Sequence, residues 1–174
     1  MANTSGYTSS TKFLHWLIVA LLIVQFIVAW TMPHIGRNTP VTKLISLHFT
    51  VGIVILAVLV WRVIQGEPTP LDDVPPWQTQ SSRVIHWLLY LLLIVMPALG
   101  WINASWRDMP ILLFGLELPK LIGTRALGWR WTGDVHNLLA NYMMLTLVGL
   151  HILAGLYHYF IRRDHILQRM LPGG

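Results

Sequence analysis

Imidazole side chains set into long apolar runs are the feature of this sequence with the most chemical content. Eight histidines are present, and six of them, His15, His48, His86, His136, His151 and His158, fall in stretches otherwise built mainly from Leu, Ile, Val, Ala and aromatic residues. A polar ring in hydrocarbon is costly unless it finds a partner, so a histidine kept there has a use. One use is a hydrogen bond between packed helices. The other is coordination, because a neutral imidazole nitrogen is a good donor to iron. Low-spin haem b takes two such nitrogens, one on each face of the porphyrin, and two helices carrying histidines at one depth can supply them. His34 and His165 lie in a loop and a tail and carry no such implication.

The chain has no cysteine, which excludes disulfides, cysteine-held iron–sulfur clusters and the thioether attachment of c-type haem. Any haem must be held by coordination and packing alone. The net charge of +5 is spread through the loops rather than collected in a run, which gives no support to nucleic-acid binding. Basic loops beside apolar spans more commonly meet anionic lipid headgroups.

The elements that must hold the rings are set by composition. With 55% apolar and 11% charged residues, 174 residues are too greasy for a soluble domain of that size. Runs near 13–31, 44–64, 84–103 and 135–160 are each long enough, at about 20 residues and 1.5 Å rise per residue, to cross roughly 30 Å of hydrocarbon. The first reads as a retained helix, because 4–12 is a poor basic n-region and no small-residue cleavage site follows. The expectation is an all-α integral membrane four-helix bundle, a single domain over 1–174. Its first connection, 33–42, carries the turn residues Gly36, Asn38 and Pro40. The second, 65–82, holds Pro68, Pro70, Pro75 and Pro76, which forbid helix continuation and suggest an extended strap. The third, 104–133, carries Trp106, Trp129 and Trp131 and is expected to fold along the membrane surface.

An even number of spans puts both termini on one face. Lys12, Arg62, Arg83, Arg162, Arg163 and Arg169 lie on that face, and Arg37, Lys43, Arg107, Lys120, Arg125 and Arg130 on the other, so the count of Lys and Arg does not orient the chain. The Arg162-Arg163 pair at the end of the last span favours termini inside, in the cytoplasm. In that orientation His15 lies about 3 Å from the inner end of its helix and His151 about 25 Å from the outer end of its own, at one level. His86 enters at the same level and His158 at the inner margin. His48, about 6 Å into the second span, and His136, about 2 Å into the fourth, form an outer tier. On a regular helix the fifteen residues from His136 to His151 give a rotation of about 60° and a rise of roughly 22 Å, so one helix can serve two tiers. Gly52 and Gly155 each follow a histidine, His48 and His151, by four, on that histidine's face. A porphyrin can press on the backbone there; small-residue helix packing is the plainer account.

The order Leu14-His15-Trp16, Leu47-His48-Phe49-Thr50-Val51-Gly52, Val135-His136-Asn137-Leu138-Leu139-Ala140-Asn141 and Gly149-Leu150-His151 resembles the bacterial di-haem cytochrome b561 family. Its superfamily includes the cytochrome b subunits of nickel–iron hydrogenases and formate dehydrogenases. Phe114-Gly115-Leu116-Glu117-Leu118-Pro119 and Arg169-Met170-Leu171-Pro172 extend the likeness nearly end to end. The resemblance implies a bacterial inner-membrane protein with two non-covalent haem b groups, His15 with His151 on the inner iron and His48 with His136 on the outer. It also implies electron exchange with ubiquinone. His158, seven residues beyond His151 on nearly the same face, and His86 are the alternative inner donors. Free of that duty, either can orient or protonate a quinone, since quinone reduction consumes protons and histidine titrates near neutrality. For either one alone, an interfacial histidine wetted by headgroup water is the plainer account.

Small stand-alone members of the family are similar to superoxide oxidase, which passes an electron from superoxide to ubiquinone. Arg37, Lys43, Arg107, Lys120, Arg125 and Arg130 suit that substrate, because a cationic rim focuses small anions and raises their encounter rate. Asp108, Glu117 and Asp134 dilute the field, and contact with lipid phosphates explains the same cations. Two other readings stay open: a quinol-linked carrier for a small redox partner, and a cytochrome b subunit anchoring a soluble dehydrogenase. A third, haem-free reading predicts a colourless protein. A homodimer is compatible with all of them.

Overall fold

The computed structural model describes residues 7–36, 39–66, 75–164 and 166–171. Arg37, Pro68, Pro70, His165 and Pro172 lie outside the described residues. Helix α1 (Ser9–Thr31) starts where the Thr8 side chain accepts a hydrogen bond from the Thr11 amide at 3.2 Å. Helix α2 (Lys43–Ile64) starts the same way, Thr42 accepting from the Ile45 amide at 3.3 Å. Both threonines satisfy amides that the first turn leaves without a partner. Helix α3 (Pro76–Arg107) opens on Pro76, well upstream of the expected start. This corrects the strap reading at 76–82: Pro76 has no N–H to lose at the first helical position, and its fixed φ suits it. Pro97, inside α3, removes one ladder bond in mid-span.

The fourth span runs over Thr132–Arg162 and is not a regular helix. Helix α4 (Thr132–Leu138) passes through a π turn at Leu139–Met144 into α5 (Leu145–Tyr157), and a second π turn closes the span at His158–Arg162. The first π turn corrects the regular-helix rotation. It holds one extra residue, so the path from His136 to His151 turns as about fourteen α-helical residues would, roughly −40° instead of +60°. All four spans are long and apolar enough to cross a membrane.

The helices pack in chain order, α1 on α2, α2 on α3 and α3 on the fourth span. Ile18, Val51, Ile55, Leu59, Leu92, Leu93 and Met144 make a mid-bundle core to which all four contribute. Ile45, Ala104, Met109 and Ile111 form a second core at the end away from the termini. Outward faces stay apolar: Leu91, Leu153 and Phe160 are more than half exposed on the isolated chain. Such faces suit lipid, where apolar burial gives helices no drive to associate and close packing must hold them together.

The third connection holds structure that hydrophobic periodicity did not reveal. Strands β1 (Ile111–Leu113) and β2 (Leu116–Leu118) form an antiparallel hairpin, with Ile111 opposite Leu118 and Leu113 opposite Leu116. The hairpin packs against α2, where the Thr50 hydroxyl donates to the Leu112 carbonyl at 3.0 Å, and the Trp101 indole donates to the Pro119 carbonyl at 3.0 Å. Thr50 belongs to a span, so this backbone lies along the bundle, and pairing satisfies the polar groups that hydrocarbon would not. Thr50→Val is expected to lower stability by about 1 kcal/mol, the usual net worth of one such bond. Thermal unfolding of the detergent-solubilised protein reads it, and an unchanged midpoint would show that the hairpin does not need this anchor.

Candidate functional site

Helix α1 brings His15 and the fourth span His151 to a ring-centroid separation of 6.1 Å. Helix α2 and the fourth span bring His48 and His136 to 6.1 Å as well. The two pairs share no residue, and the fourth span contributes to both. Two imidazoles on opposite sides of one iron, each with a metal–nitrogen bond of about 2 Å, place their ring centres roughly 6 Å apart. Both pairs fit that spacing. His86 approaches His151 to 5.2 Å, which is too short for two trans ligands of one metal. The inner tier is thus three rings, of which one pair has axial spacing. His158 sits outside this group: its Nδ1 donates to Asp164 Oδ2 at 2.6 Å, and Arg162 Nε lies 3.5 Å from the same oxygen.

The outer pair is oriented by its surroundings. His136 Nδ1 donates to the Met96 carbonyl of α3 at 3.0 Å, which leaves Nε2 as the free acceptor nitrogen. This is how a ring is set to ligate a metal. Gly100 gives the ring room, since a Cβ there would sit 3.3 Å from His136 Cε1. His48 is buried, its Nδ1 has no hydrogen-bond partner, and its Nε2 lies 3.4 Å from Gln25 Nε2. A buried ring nitrogen left over in this way is a donor to a metal when one is bound. Gly52 faces the same place, its absent Cβ 3.4 Å from Gln25 Nε2, whereas Gly155 faces Leu167 of the tail.

Gly100, Met96, Gln25 and Asp164 were not singled out from sequence. Gly100 and Gln25 had a weak signal, a glycine and an amide inside apolar spans. Asp164 follows the last span, and nothing in its spacing points to His158. Gly100→Leu is expected to displace His136 and cost the protein haem, whereas Gly100→Ala needs a shift of only a few tenths of an ångström. Haem quantified per chain separates the two, and full haem in the leucine variant would show that the ring has slack.

On the face away from the termini, Trp106, Arg107, Arg125, Arg130 and Asp134 line a basin of about 450 Å³. Asp134 is two residues from His136, about 3 Å in helix rise, so the basin lies near the level of the outer pair. The Arg125 guanidinium lies 5.0 Å and that of Arg107 5.8 Å from the Trp106 ring centre, arrangements in which the ring face draws the cation. Arg107 also donates to Asn103 Oδ1 at 3.3 Å and to the Gly36 carbonyl at 3.0 Å. Arg125 takes a left-handed backbone, φ 58°, at a cost of about 1–3 kcal/mol for a residue with a side chain.

Of the six expected cations, three therefore converge. Lys43 is exposed at the start of α2 and does not line the basin. Lys120 is paired with Asp108 and Thr124. Hydrogen bonds from Lys120 and Thr124 hold the Asp108 carboxyl below the usual carboxylate range. A lowered carboxyl keeps its pair at and above its unfolded pKa and loses it only as pH falls through the lower folded value. The Asp108 carboxylate thus stays ionised beside Lys120 across the physiological range.

Comparison with known proteins closes the question of kinship. The family model described as prokaryotic cytochrome b561 matches residues 6–173. The chain is 31% identical over 166 residues to a probable superoxide oxidase CybB of Yersinia pestis, covering 91% of this chain and 92% of that one. It is 29% identical over 163 residues to cytochrome b561 homolog 2 of Escherichia coli K12, covering 90% and 86%. Cytochrome b562 of Cereibacter sphaeroides is 28% identical over 184 residues, at 98% of each chain. With four apolar spans and a match running almost from end to end, this chain belongs to the prokaryotic cytochrome b561 family, the membrane cytochromes b that carry electrons.

Proposed function

We propose that the protein holds two b haems, His15 with His151 and His48 with His136, and moves single electrons from superoxide at the basic basin to ubiquinone at the opposite face. The observation that carries this reading is the pair of 6.1 Å ring separations, one toward each end of the bundle. Bound between those rings, haem b supplies reversible one-electron storage at each tier. The chain's own residues supply the rest. Arg107, Arg125 and Arg130 draw a small anion to the basin beside the outer pair. The relative from Yersinia pestis, named a probable superoxide oxidase, supports superoxide as that anion.

Balance fixes the work at the other end. Two superoxide ions give up one electron each and leave as dioxygen, while one ubiquinone takes both electrons and two protons. His86, 5.2 Å from His151, and His158, held by Asp164, are the proton-bearing groups at that end. Because Asp164 accepts from Nδ1, it fixes the His158 tautomer and leaves Nε2 as the free ring nitrogen. In this reading both termini lie in the cytoplasm, where those protons are drawn. Asp164→Asn is expected to slow ubiquinone reduction about tenfold, within the usual range for a lost acid–base group, while haem content stays the same. A ubiquinone-reduction rate in Asp164→Asn equal to that of the wild type would remove His158 from the proton path.

A superoxide pulse in a stopped-flow instrument tests the whole reading. The haem spectrum should shift to the reduced form within the mixing experiment and reoxidise when ubiquinone is supplied. If superoxide leaves the haems oxidised while ubiquinol reduces them readily, the protein is a quinol-linked carrier and superoxide is not its substrate.

A further inference from the structure

Arg62 is the one Lys, Arg, Asp or Glu buried among the described residues, 5% exposed in the last turn of α2. Its neighbours satisfy it poorly. One guanidinium nitrogen donates to the Gly66 carbonyl at 3.4 Å, near the limit of a hydrogen bond, and the group lies 5.7 Å from the Tyr7 ring centre. A guanidinium carries five N–H donors, and among the described residues the Gly66 carbonyl is the one acceptor it meets. Among the described residues no carboxylate pairs with Arg62: Asp108 holds Lys120, and Asp164 holds His158 and Arg162. A cation taken out of water without an anion is strongly unfavourable.

The position of this charge narrows what anion would answer it. Arg62 is close enough to the inner tier to act electrostatically on both His15 and His86. A b haem held there carries two ionised propionates, the only charged groups on its periphery, and these meet the same penalty in hydrocarbon that Arg62 meets. Each group supplies what the other lacks, in the planar two-bond pairing that guanidinium and carboxylate favour.

We propose that Arg62 pairs with an ionised carboxylate of the inner haem and, through its fixed charge, keeps the reduction potential of that haem high. A positive charge beside the site favours the form carrying the additional electron. The inference rests on the inner pair binding haem, and the test keeps the two apart.

Full-length wild type, Arg62→Gln and Arg62→Lys are titrated spectroelectrochemically in lipid-depleted, quinone-free detergent, with haem counted per chain. Arg62→Gln is expected to keep both haems and to lower one of the two potentials by at least a tenfold change in its reduction equilibrium, about 59 mV for one electron. The other wave, from the outer haem, stays in place, and Arg62→Lys keeps most of the wild-type value. Two unchanged potentials with both haems retained overturn the proposal and leave the ligand reading standing. A wild type without haem sinks the ligand reading instead. A shift that emerges only on adding anionic phospholipid or ubiquinone assigns the anion to those molecules and overturns the proposal. If Arg62→Gln loses a haem, Arg62→Lys decides: two haems at wild-type potentials support the charge, and loss there too overturns it.

Discussion

Alanine at His48 is expected to cut the haem content from two per chain to one. Among the described residues the imidazole in ring contact with His48 is His136, at 6.1 Å, while His86 and His151 belong to the other tier, so no second ring stands by to replace it. A haem that is not covalently attached depends on its two axial bonds and the close fit around them, so losing one bond in so narrow a site releases it. His136→Ala should give the same one-haem protein, and the double variant should be no worse than either single, because both remove one unit. His15→Ala and His151→Ala should each remove the other haem. The discriminating variant is His86→Ala, which is expected to keep both haems, since the 5.2 Å approach of His86 to His151 is too close for trans ligation. Haem quantified per chain with a reduced-minus-oxidised spectrum reads all six variants. If His86→Ala empties the inner site and His15→Ala leaves it filled, the pairing is wrong at that end.

What made these pairs legible in the sequence is that a membrane converts residue number into depth. Helix rise alone placed His15, His86 and His151 at one level and His48 and His136 at another, because each span must start and end at the boundaries of the hydrocarbon. Azimuth was less legible. The π turn at Leu139–Met144 changes the facing of His151 relative to His136, and no residue type in that run announces it. The start of α3 was misplaced because Pro75 and Pro76 read as breakers, whereas the second begins the helix. The hairpin at 111–118 was missed because its strands are only three residues each, too short for alternation to be seen. Charge was the least legible property. Six outer cations look alike in sequence, yet Lys120 is neutralised by Asp108 and Lys43 stands apart from the three that share the basin.

Those three set the second large effect, a fall in superoxide-driven haem reduction by about tenfold or more when one arginine is reversed in sign and the basin's net charge, with Asp134 counted, is cancelled. Fields of one sign in a recess raise encounter rates of small ions by 10–10³, roughly the range open to loss. Arg130→Glu is the cleanest variant, because Arg107 also ties the loop to Asn103 and Gly36, and Arg125 sits in a strained turn stacked on Trp106. A change at either of those reshapes the basin as well as its charge. Salt provides the independent check: the wild-type rate should fall as ionic strength rises past the point where screening shortens to about 10 Å, and the variant's rate should be nearly flat. Reduction of the same haems by ubiquinol from the opposite face does not involve the basin and should be unaltered in Arg130→Glu. A variant that reacts with superoxide at the wild-type rate and salt dependence would leave these arginines as lipid-phosphate contacts, and the electron donor would have to be sought among larger, neutral or cationic partners.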